Sequence, residues 1–290
     1  MGNSGSQDLG PHGDLRLQAD QIRYDEAKQY EAIVAGSTGA SGRALVAALS
    51  ARPNCTRIHA LVRQGKGMPD LKRDEVQKAF PGIEYDKLNI GSAGGGTSAR
   101  LNVVEFDYEN AKPLPTIAQG TEVMAFCALG TAPFSELVDY TYSVNFAEAV
   151  AKSYDVKALG LVSSQGANKD SMMGYMETLG RRENQFAELA KQYKFPTIFA
   201  RPGPIDRDEL AEERLKERIL GAFSFALPFV HTSQIAASLI QGAETLGGNA
   251  QKVKLDESRE QETWYCYSIE SGQIGTQRNS KVFSSEGGPA

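Results

Sequence analysis

Three glycines spaced three residues apart are the clearest chemical signal in this sequence. Gly36, Gly39 and Gly42 follow a short apolar run and open a helical pattern within AIVAGSTGASGRALVAAL, residues 32–49. In a dinucleotide-binding loop the first glycine permits a sharp turn, the second lets the pyrophosphate approach the backbone, and the third lets the helix pack on the strand. The helix N-terminus then faces the phosphates. We predict a dinucleotide site here, against the alternative of a purely structural turn.

The residue at the end of the second predicted strand selects the dinucleotide. NAD-binding proteins place an acid there, about twenty residues past the loop, to bind the ribose 2′-hydroxyl. This chain has Arg63 instead, with Arg43 just past the loop. Because a guanidinium suits a 2′-phosphate, we predict NADP(H), unless Arg63 is only a solvated cation at a strand end. Asp107 is placed either to accept a hydrogen bond from the adenine amine or to act as a turn residue.

Alternating strand and helix patterns position these residues. Short apolar runs predict strands at 32–35, 58–62, 101–106, 123–129, 158–162 and 197–200. Longer amphipathic segments lie between them, and the segment 136–153 repeats apolar residues at helical spacing. This alternation predicts an α/β fold with a doubly wound parallel sheet, the Rossmann fold.

Composition divides the chain into three parts. We expect a polar lead-in at 1–30, a main domain at 31–246 with an insertion at 64–100, and a C-terminal extension at 247–290. The insertion is either a mobile flap or a simple addition. The extension has a composition typical of a poorly ordered end.

Charge and residue usage exclude several kinds of partner and site. A formal charge of −5 at pH 7 argues against a nucleic-acid partner. The three cysteines and three histidines are scattered without ligand spacing, so we predict no metal site and no disulfide framework. We find no membrane-spanning run and no secretory or transit pattern, which predicts a cytoplasmic protein.

The first residues, MGNSGS, fit the pattern for N-myristoylation at Gly2, and a flexible polar tail is the alternative. A single acyl chain binds a membrane weakly, and Asp8, Asp14 and Asp20 make this segment acidic rather than basic. We therefore expect membrane association only if Gly2 is acylated, and then weakly.

Several segments occur in the order and spacing of a known superfamily. They are GSTGASGR, LVR, FCALGT, LVSSQGANKD, Tyr175 and FARPGPIDRD. Together they resemble the short-chain dehydrogenase/reductase superfamily in its atypical branch, and most closely the Tat-interactive-protein oxidoreductases, over residues 32–245. The resemblance implies a Rossmann domain that binds NADPH, with a serine, a tyrosine and a lysine at the nicotinamide end.

Two of these three active-site residues are present. Ser164 matches the serine, with Ser163 as the neighbouring alternative, and Tyr175 matches the tyrosine. In this superfamily the serine steadies the substrate carbonyl and the tyrosine exchanges a proton as hydride moves. The lysine position is Leu179, four residues after the tyrosine and on the same helical face. Without an ammonium nearby, a phenol keeps its pKa of about 10 and gives up its proton less readily.

Other basic residues do not restore the lysine. Tyr24 and Lys28 form a Tyr-x-x-x-Lys pattern, but they precede the first strand. Arg182 lies about 10 Å beyond Tyr175 along the helix axis. It and Arg181 either add some positive field at the tyrosine or form a solvated surface cluster. We expect the surface cluster, because arginine is rarely buried unpaired.

The resemblance extends the predicted cofactor site and adds a small C-terminal substrate lobe. Arg201 and Pro202 match a family hallmark after the sixth strand, and Gly130 ends the fourth strand beside the expected cofactor path. Helices are predicted in the lobe near 207–220 and 232–244. Three phenylalanines there either line an apolar pocket or pack a core: Phe223, Phe225 and Phe229. The predicted dinucleotide contacts are Gly36, Thr38, Gly39, Ala40, Ser41, Gly42, Arg43, Arg63, Asp107, Leu129, Gly130, Arg201 and Pro202.

Two interpretations of function follow. The first is an NADPH-dependent reductase of a small carbonyl compound that uses Ser164 and Tyr175. The second is an NADP(H)-binding regulator or assembly subunit with little or no turnover, acting through protein partners, which Leu179 favours. A nucleotide-sugar epimerase on the same fold is a weaker alternative, because it also needs the lysine.

Overall fold

The strands and helices follow the predicted alternation. The computed structural model describes residues 12–14, 28–63, 79–80, 90–91, 100–206, 229–249 and 266–270. Within these ranges the strands are β1 (His12–Asp14), β2 (Tyr30–Ala35), β3 (Cys55–Arg63), β4 (Ile90–Gly91), β5 (Leu101–Phe106), β6 (Glu122–Cys127), β7 (Val156–Val162), β8 (Thr197–Arg201), β9 (Ile205–Asp206), β10 (Val230–His231) and β11 (Cys266–Glu270). The helices are α1 (Ala40–Ser50), α2 (Ser143–Ser153), α3 (Gly174–Tyr193) and α4 (Thr232–Asn249), and a π-helical segment, Leu137–Tyr142, runs directly into α2.

Nine strands form one parallel sheet. Their order is β1-β11-β8-β7-β6-β2-β3-β5-β4, while β9 and β10 pair separately. Each pairing within the nine-stranded sheet is parallel. The predicted doubly wound α/β fold is confirmed.

Both faces of the sheet are covered by helices. Along β2, Ala32 and Val34 belong to one apolar cluster, whereas Ile33 and Ala35 belong to the other. The first cluster includes residues of α1 and α4, and the second includes residues of α2 and α3. Burial on both faces explains why residues 32–35 of this strand form an uninterrupted apolar run.

The strand order reverses at β2, whose neighbours are β3 on one side and β6 on the other. In open α/β sheets, ligands bind outside the carboxyl ends of the strands at such a switch point. The turn after β2 and the loop after β6 therefore border the expected crevice.

Three strands of the nine-stranded sheet, and the short pair β9 and β10, fall where the sequence pattern indicated none. β1 lies in the predicted lead-in, β4 in the insertion, and β11 in the C-terminal extension, where it pairs with β8. The expectation of a poorly ordered end is therefore wrong for β11, which continues the parallel ladder and buries Ile269 completely. Within the insertion, Ala79 and Phe80 are buried in the first apolar cluster.

Two predicted helices are observed with different limits. The segment predicted as a helix at 136–153 has the wider π geometry in its first six residues and α geometry afterwards. The helix near 232–244 continues to Asn249. The helix near 207–220 and the residues Gly2, Tyr24, Phe223 and Phe225 lie outside the described ranges.

Candidate functional site

The turn after β2 brings Gly36 against the loop that follows β6. Gly36 has a φ of +72°, in the left-handed region that favours glycine. A Cβ at this position would lie 2.7 Å from both the carbonyl carbon and the carbonyl oxygen of Ala128. Glycine is therefore required here both by the backbone conformation and by the close approach of the two strand ends.

The other two glycines of the loop differ in what surrounds them. A Cβ on Gly42 would lie 2.0 Å from the carbonyl oxygen of Gly36, so α1 packs directly on the turn. Gly39 has an ordinary φ of −76°, and its nearest neighbour would be the same oxygen at 3.4 Å. Packing within the protein explains Gly42 but gives little reason for glycine at position 39.

The N-terminus of α1 is open and electropositive. Gly39 is the N-cap residue without a side-chain cap, and the first turn contains no acidic residue. Gly39 and Ala40 are exposed, while Thr38 and Ser41 are half-buried. The positive end of the helix dipole is thus accessible and uncompensated, an arrangement that suits a phosphate group.

Two side chains that the sequence analysis missed hold this turn in place. The hydroxyl of Ser37 donates a hydrogen bond to the carbonyl of Leu61 in β3, at 2.7 Å. The backbone N–H of Gly36 donates to the hydroxyl of Tyr108, at 3.3 Å. The Tyr108 ring is buried, which raises the pKa of its phenol, and it stacks on Tyr142. The turn is therefore held by hydrogen bonds to two neighbouring segments.

The two predicted 2′-phosphate contacts lie at the same edge of the sheet. Arg63 is the last residue of β3 and is exposed, and its guanidinium forms no hydrogen bond or ion pair with any described residue. Arg43 lies in the first turn of α1, where its Nε is buried without a partner among the described residues. Arg63 is thus accessible to an anionic ligand, and the Nε of Arg43 is a buried donor beside the glycine loop.

The carboxylate of Asp107 is occupied by its own turn. It accepts hydrogen bonds from the backbone N–H groups of Glu109 and Asn110, at 2.8 and 3.3 Å, and from the Asn110 side chain at 2.6 Å. The Asn110 side chain and these N–H groups lower the pKa of the carboxyl below its usual value. These hydrogen bonds are those of a turn residue, the second of the two roles predicted for Asp107.

The predicted serine lies in the loop after β7. Ser164 is half-buried and its hydroxyl donates a long hydrogen bond, 3.3 Å, to the carbonyl of Gln165. Its neighbour Ser163 is buried, with no partner for its hydroxyl among the described residues. Ser164 is thus the more accessible of the two alternatives.

Tyr175 lies at the start of α3 and is 41% exposed. Its ring packs edge-to-face on Phe134, with 5.4 Å between ring centroids. Phe134 belongs to the loop after β6, which also carries Leu129 and Gly130. The backbone N–H of Asn168, in the loop that carries Ser164, donates to the carbonyl of Met176. The tyrosine and the serine are therefore presented at the same edge of the sheet.

The position of the missing lysine is enclosed by protein. Leu179 is only 1% exposed, one turn along α3 from Tyr175. The next residue, Gly180, approaches the loop after β7 so closely that a Cβ would lie 2.1 Å from the backbone nitrogen of Lys169. An apolar side chain thus fills the position where the superfamily implies an ammonium group.

Arg182 is buried, so its expected place in a surface cluster is wrong. It is 2% exposed, and its Nη1 donates to the carbonyls of Leu129 and Asp139 at 3.1 and 3.0 Å. Its Nη2 donates to the carbonyl of Val162 at 2.9 Å. The partners of this arginine are backbone carbonyls, which no residue pattern reveals.

Arg181 does lie on the surface, as expected. It pairs with Glu136 at 3.1 Å and with Glu177 at 3.8 Å, and its guanidinium lies over the ring of Tyr140. All of these contacts are exposed or partly exposed.

Arg201 is held by a buried carboxylate. Its Nε and Nη2 donate to the two carboxylate oxygens of Glu183, at 3.1 and 2.6 Å. The adjacent Pro202 accepts a hydrogen bond from the backbone N–H of Gln165. The pair therefore joins α3 to the end of β8, next to the serine loop.

Tyr175 is one of six large apolar side chains that are exposed in the described ranges. They lie between β6 and β7, between β7 and β8, or directly before β10: Phe134, Leu137, Met172, Met173, Tyr175 and Phe229. Exposed apolar side chains gathered at one edge are typical of a ligand or partner site. Within the same ranges, no three His, Cys, Asp or Glu side chains converge as metal ligands.

Comparison with solved structures gives the same fold. The reductase domain of PhqB from Penicillium fellutanum matches with a TM-score of 0.55 and 12% identity, over 86% of this chain and 69% of that one. The NAD complex of UDP-glucuronic acid 4-epimerase from Bacillus cereus matches with a TM-score of 0.52 and 13% identity, over 83% and 76%. A short-chain type dehydrogenase/reductase from Mycobacterium ulcerans matches at 0.50 and 11%, over 85% and 90%.

The chain has the fold of the short-chain dehydrogenases and reductases. No family model matches its sequence. It is 30% identical to Protein FMP52, mitochondrial, from Debaryomyces hansenii over 175 residues, which are 60% of this chain and 66% of that protein, slightly under two thirds. It is 25% identical to the protein of the same name from Coccidioides immitis, over 67% of this chain and 72% of that protein.

These relatives correct the expected location. Both are named as mitochondrial, so the prediction of a cytoplasmic protein is wrong. That prediction relied on the lack of a secretory or transit pattern. Such patterns are one kind of targeting signal only. None of the helices in the described ranges is long and apolar enough to cross a bilayer.

Proposed function

We propose that this protein binds NADP(H) at the switch point of its sheet and reduces an apolar carbonyl compound. The observation that carries the proposal is Gly39, a glycine that internal packing hardly requires, at an open helix N-terminus between β2 and β6. The absence of a side chain there leaves room for a pyrophosphate against the backbone. Gly36 and Gly42 hold the turn, and Thr38, Ala40 and Ser41 border the same opening.

Arg63 and Arg43 support NADP(H) over NAD(H). Both lie where the adenosine ribose is expected, and Arg63 has no hydrogen bond or ion pair with a described residue. A 2′-phosphate would give its guanidinium an anionic partner, while NAD would leave it without one. We do not assign Asp107 to the adenine, because its carboxylate is engaged in its own turn.

The catalytic groups we assign are Ser164 and Tyr175. The dinucleotide, when bound, supplies the hydride. The Ser164 hydroxyl donates a hydrogen bond to the substrate carbonyl oxygen, and the Tyr175 phenol gives its proton to that oxygen as the carbon accepts the hydride. The product is an alcohol, and Tyr175 recovers its proton from water because it is 41% exposed.

The apolar side chains around Tyr175 suggest the kind of substrate. Phe134 packs directly on the tyrosine ring, and Met172, Met173 and Phe229 are also exposed at this edge. These side chains offer apolar and aromatic surface but no charge. An aldehyde or ketone with an aliphatic or aromatic body fits this surface better than a sugar nucleotide.

A second candidate function is an NADP(H)-binding regulator without turnover. Leu179 favours it, because an enclosed leucine supplies neither the positive charge nor the donor that the lysine provides. The two functions share the dinucleotide site and differ only at the proton-transfer end. Protein partners would then distinguish the NADP(H)-bound protein from the unbound protein.

Turnover of NADPH with apolar aldehydes separates the two functions. For a reductase we expect slow oxidation of NADPH that Ser164→Ala and Tyr175→Phe each reduce at least about tenfold, with NADPH affinity unchanged. Leu179→Lys is expected to raise turnover at least about tenfold. Binding of NADPH without turnover in both the natural chain and Leu179→Lys would reject the reductase and support the regulator.

The names of the relatives lead us to propose a mitochondrial location for this chain. Fractionation of cells that express the chain with a C-terminal tag tests it, and the tag should follow a mitochondrial marker.

The narrower relationship to the Tat-interactive-protein oxidoreductases also remains a proposal, supported by the residue motifs of the sequence. A comparison of substrate range with members of that family would test it.

A further inference from the structure

Arg182 is a buried cation that the proposed chemistry leaves without a role. In the described ranges, none of its nitrogen atoms forms an ion pair with a carboxylate. The neighbouring Glu183 is engaged with Arg201. The carboxylate of Asp139 accepts instead from Thr131, at 2.6 Å from its hydroxyl.

An apolar side chain of the same length would avoid the burial of a charge, but it would leave three backbone carbonyls without this donor. Burying a guanidinium without a counter-charge is unfavourable, and its Nε lacks a partner among the described residues. What arginine adds is a rigid fork of donors that fixes several acceptors at once. Here the acceptors are the carbonyls of Leu129, Asp139 and Val162.

Two of those carbonyls lie at the edge where the nicotinamide half of a dinucleotide is expected. Leu129 precedes Gly130 in the loop after β6, and Val162 is the last residue of β7, directly before Ser163 and Ser164. One side chain thus ties the cofactor-facing loop to the serine loop. It reaches them from α3, the helix that also carries Tyr175.

We propose that Arg182 is a positioning residue that sets the nicotinamide half of the site, in place of the order that the missing lysine would impose. This inference rests on the proposed NADP(H) binding. It predicts that Arg182 contributes to binding of the nicotinamide half of the ligand. It should not contribute to binding of the adenosine half, which lies at the glycine loop and Arg63.

Two ligands distinguish these halves. NADPH spans the whole site, whereas adenosine 2′,5′-bisphosphate lacks the nicotinamide. For Arg182→Met we expect NADPH affinity to fall at least about tenfold, while affinity for the bisphosphate stays within about twofold. Arg182→Lys keeps the charge but loses the planar fork of donors. We expect an intermediate loss of affinity for NADPH and no loss of affinity for the bisphosphate.

Arg181→Met is the matched control, since it removes an exposed arginine from the adjacent position of the same helix. It should leave both affinities unchanged. A parallel loss of both ligands in the Arg182 variants, or failure of both variants to fold, would show a purely structural role and overturn the inference. Unchanged NADPH affinity in a folded variant would also overturn it. If the natural chain binds neither ligand, the proposed function itself fails.

Discussion

A Cβ on Gly42 would lie 2.0 Å from the carbonyl oxygen of Gly36, so at this position α1 packs directly against the backbone of the turn after β2. Alanine at Gly42 must push the helix off the turn. We expect Gly42→Ala to lower the free energy of unfolding by about 1–3 kcal/mol, as overpacking does. Thermal and urea denaturation measure this loss.

Gly39→Ala is the matched variant in the same loop. Its φ of −76° suits alanine and its neighbours leave space, so the free energy of unfolding should change by less than about 0.5 kcal/mol. NADPH affinity should nevertheless fall at least about tenfold, because the new methyl group occupies the approach of the pyrophosphate. Full NADPH affinity in Gly39→Ala would show that the glycine has no ligand role.

The buried pair of Glu183 and Arg201 gives a stability prediction. Glu183→Gln removes the negative charge from a buried ion pair and should destabilise the fold by about 3–5 kcal/mol. The exposed pair of Glu148 and Lys152 on α2 is the control, and Glu148→Gln should leave the urea midpoint unchanged. Equal effects of the two substitutions would mean that the buried pair contributes little.

Arg63 is expected to set the preference between dinucleotides. Arg63→Ser removes the cation at the end of β3 and should weaken NADPH binding at least about tenfold, with little effect on NADH. Arg181→Ser, which removes a cation away from the adenosine end, serves as the charge-matched control. Calorimetry with NADPH and with NADH measures the two affinities. An unchanged ratio between them would mean that Arg63 is only a solvated cation at a strand end.

Burial of Cys55 makes stability fall at alkaline pH. Burial raises the pKa of its thiol to about 12 in the folded chain, from an ordinary value of 9.0. The unfolded chain therefore loses this proton first, so the folded state is penalised as pH rises from about 9 toward 12, by up to about 1.4 kcal/mol per pH unit. Below pH 9 the thiol contributes no slope.

Urea denaturation between pH 8 and 10.5 tests this dependence. The natural chain should lose stability across that range, and Cys55→Val should lose it less steeply. Tyr30, whose pKa burial also raises, contributes a remaining slope in the same direction. The same slope in both chains would rule out Cys55 as a source.

The sheet was predictable because its signals are local. Each of the six predicted strands is a short apolar run, and the glycine loop is contiguous in the chain, from Gly36 to Gly42. β11 was missed because its five residues, CYSIE, do not form an apolar run: Ser268 and Glu270 interrupt it. The π geometry of 137–142 leaves an apolar pattern close to that of an α-helix, so the sequence did not reveal it.

The inner contacts of the site were not predictable, because they join distant segments. Tyr108 and Gly36 are 72 positions apart, and Arg182 and Leu129 are 53 apart. In each of these hydrogen bonds one partner is a backbone group, which every residue possesses. Leu179, at the position where the resemblance implies a lysine, is the feature of the sequence that points to the role proposed for another residue of α3.

Calorimetric titration of the purified chain with NADPH and, separately, with NADH tests the central claim most directly. We predict micromolar binding of NADPH and at least about tenfold weaker binding of NADH. Binding of neither dinucleotide would contradict the claim and leave the fold as a scaffold. Tighter binding of NADH would keep the dinucleotide site but reject the role assigned to Arg63.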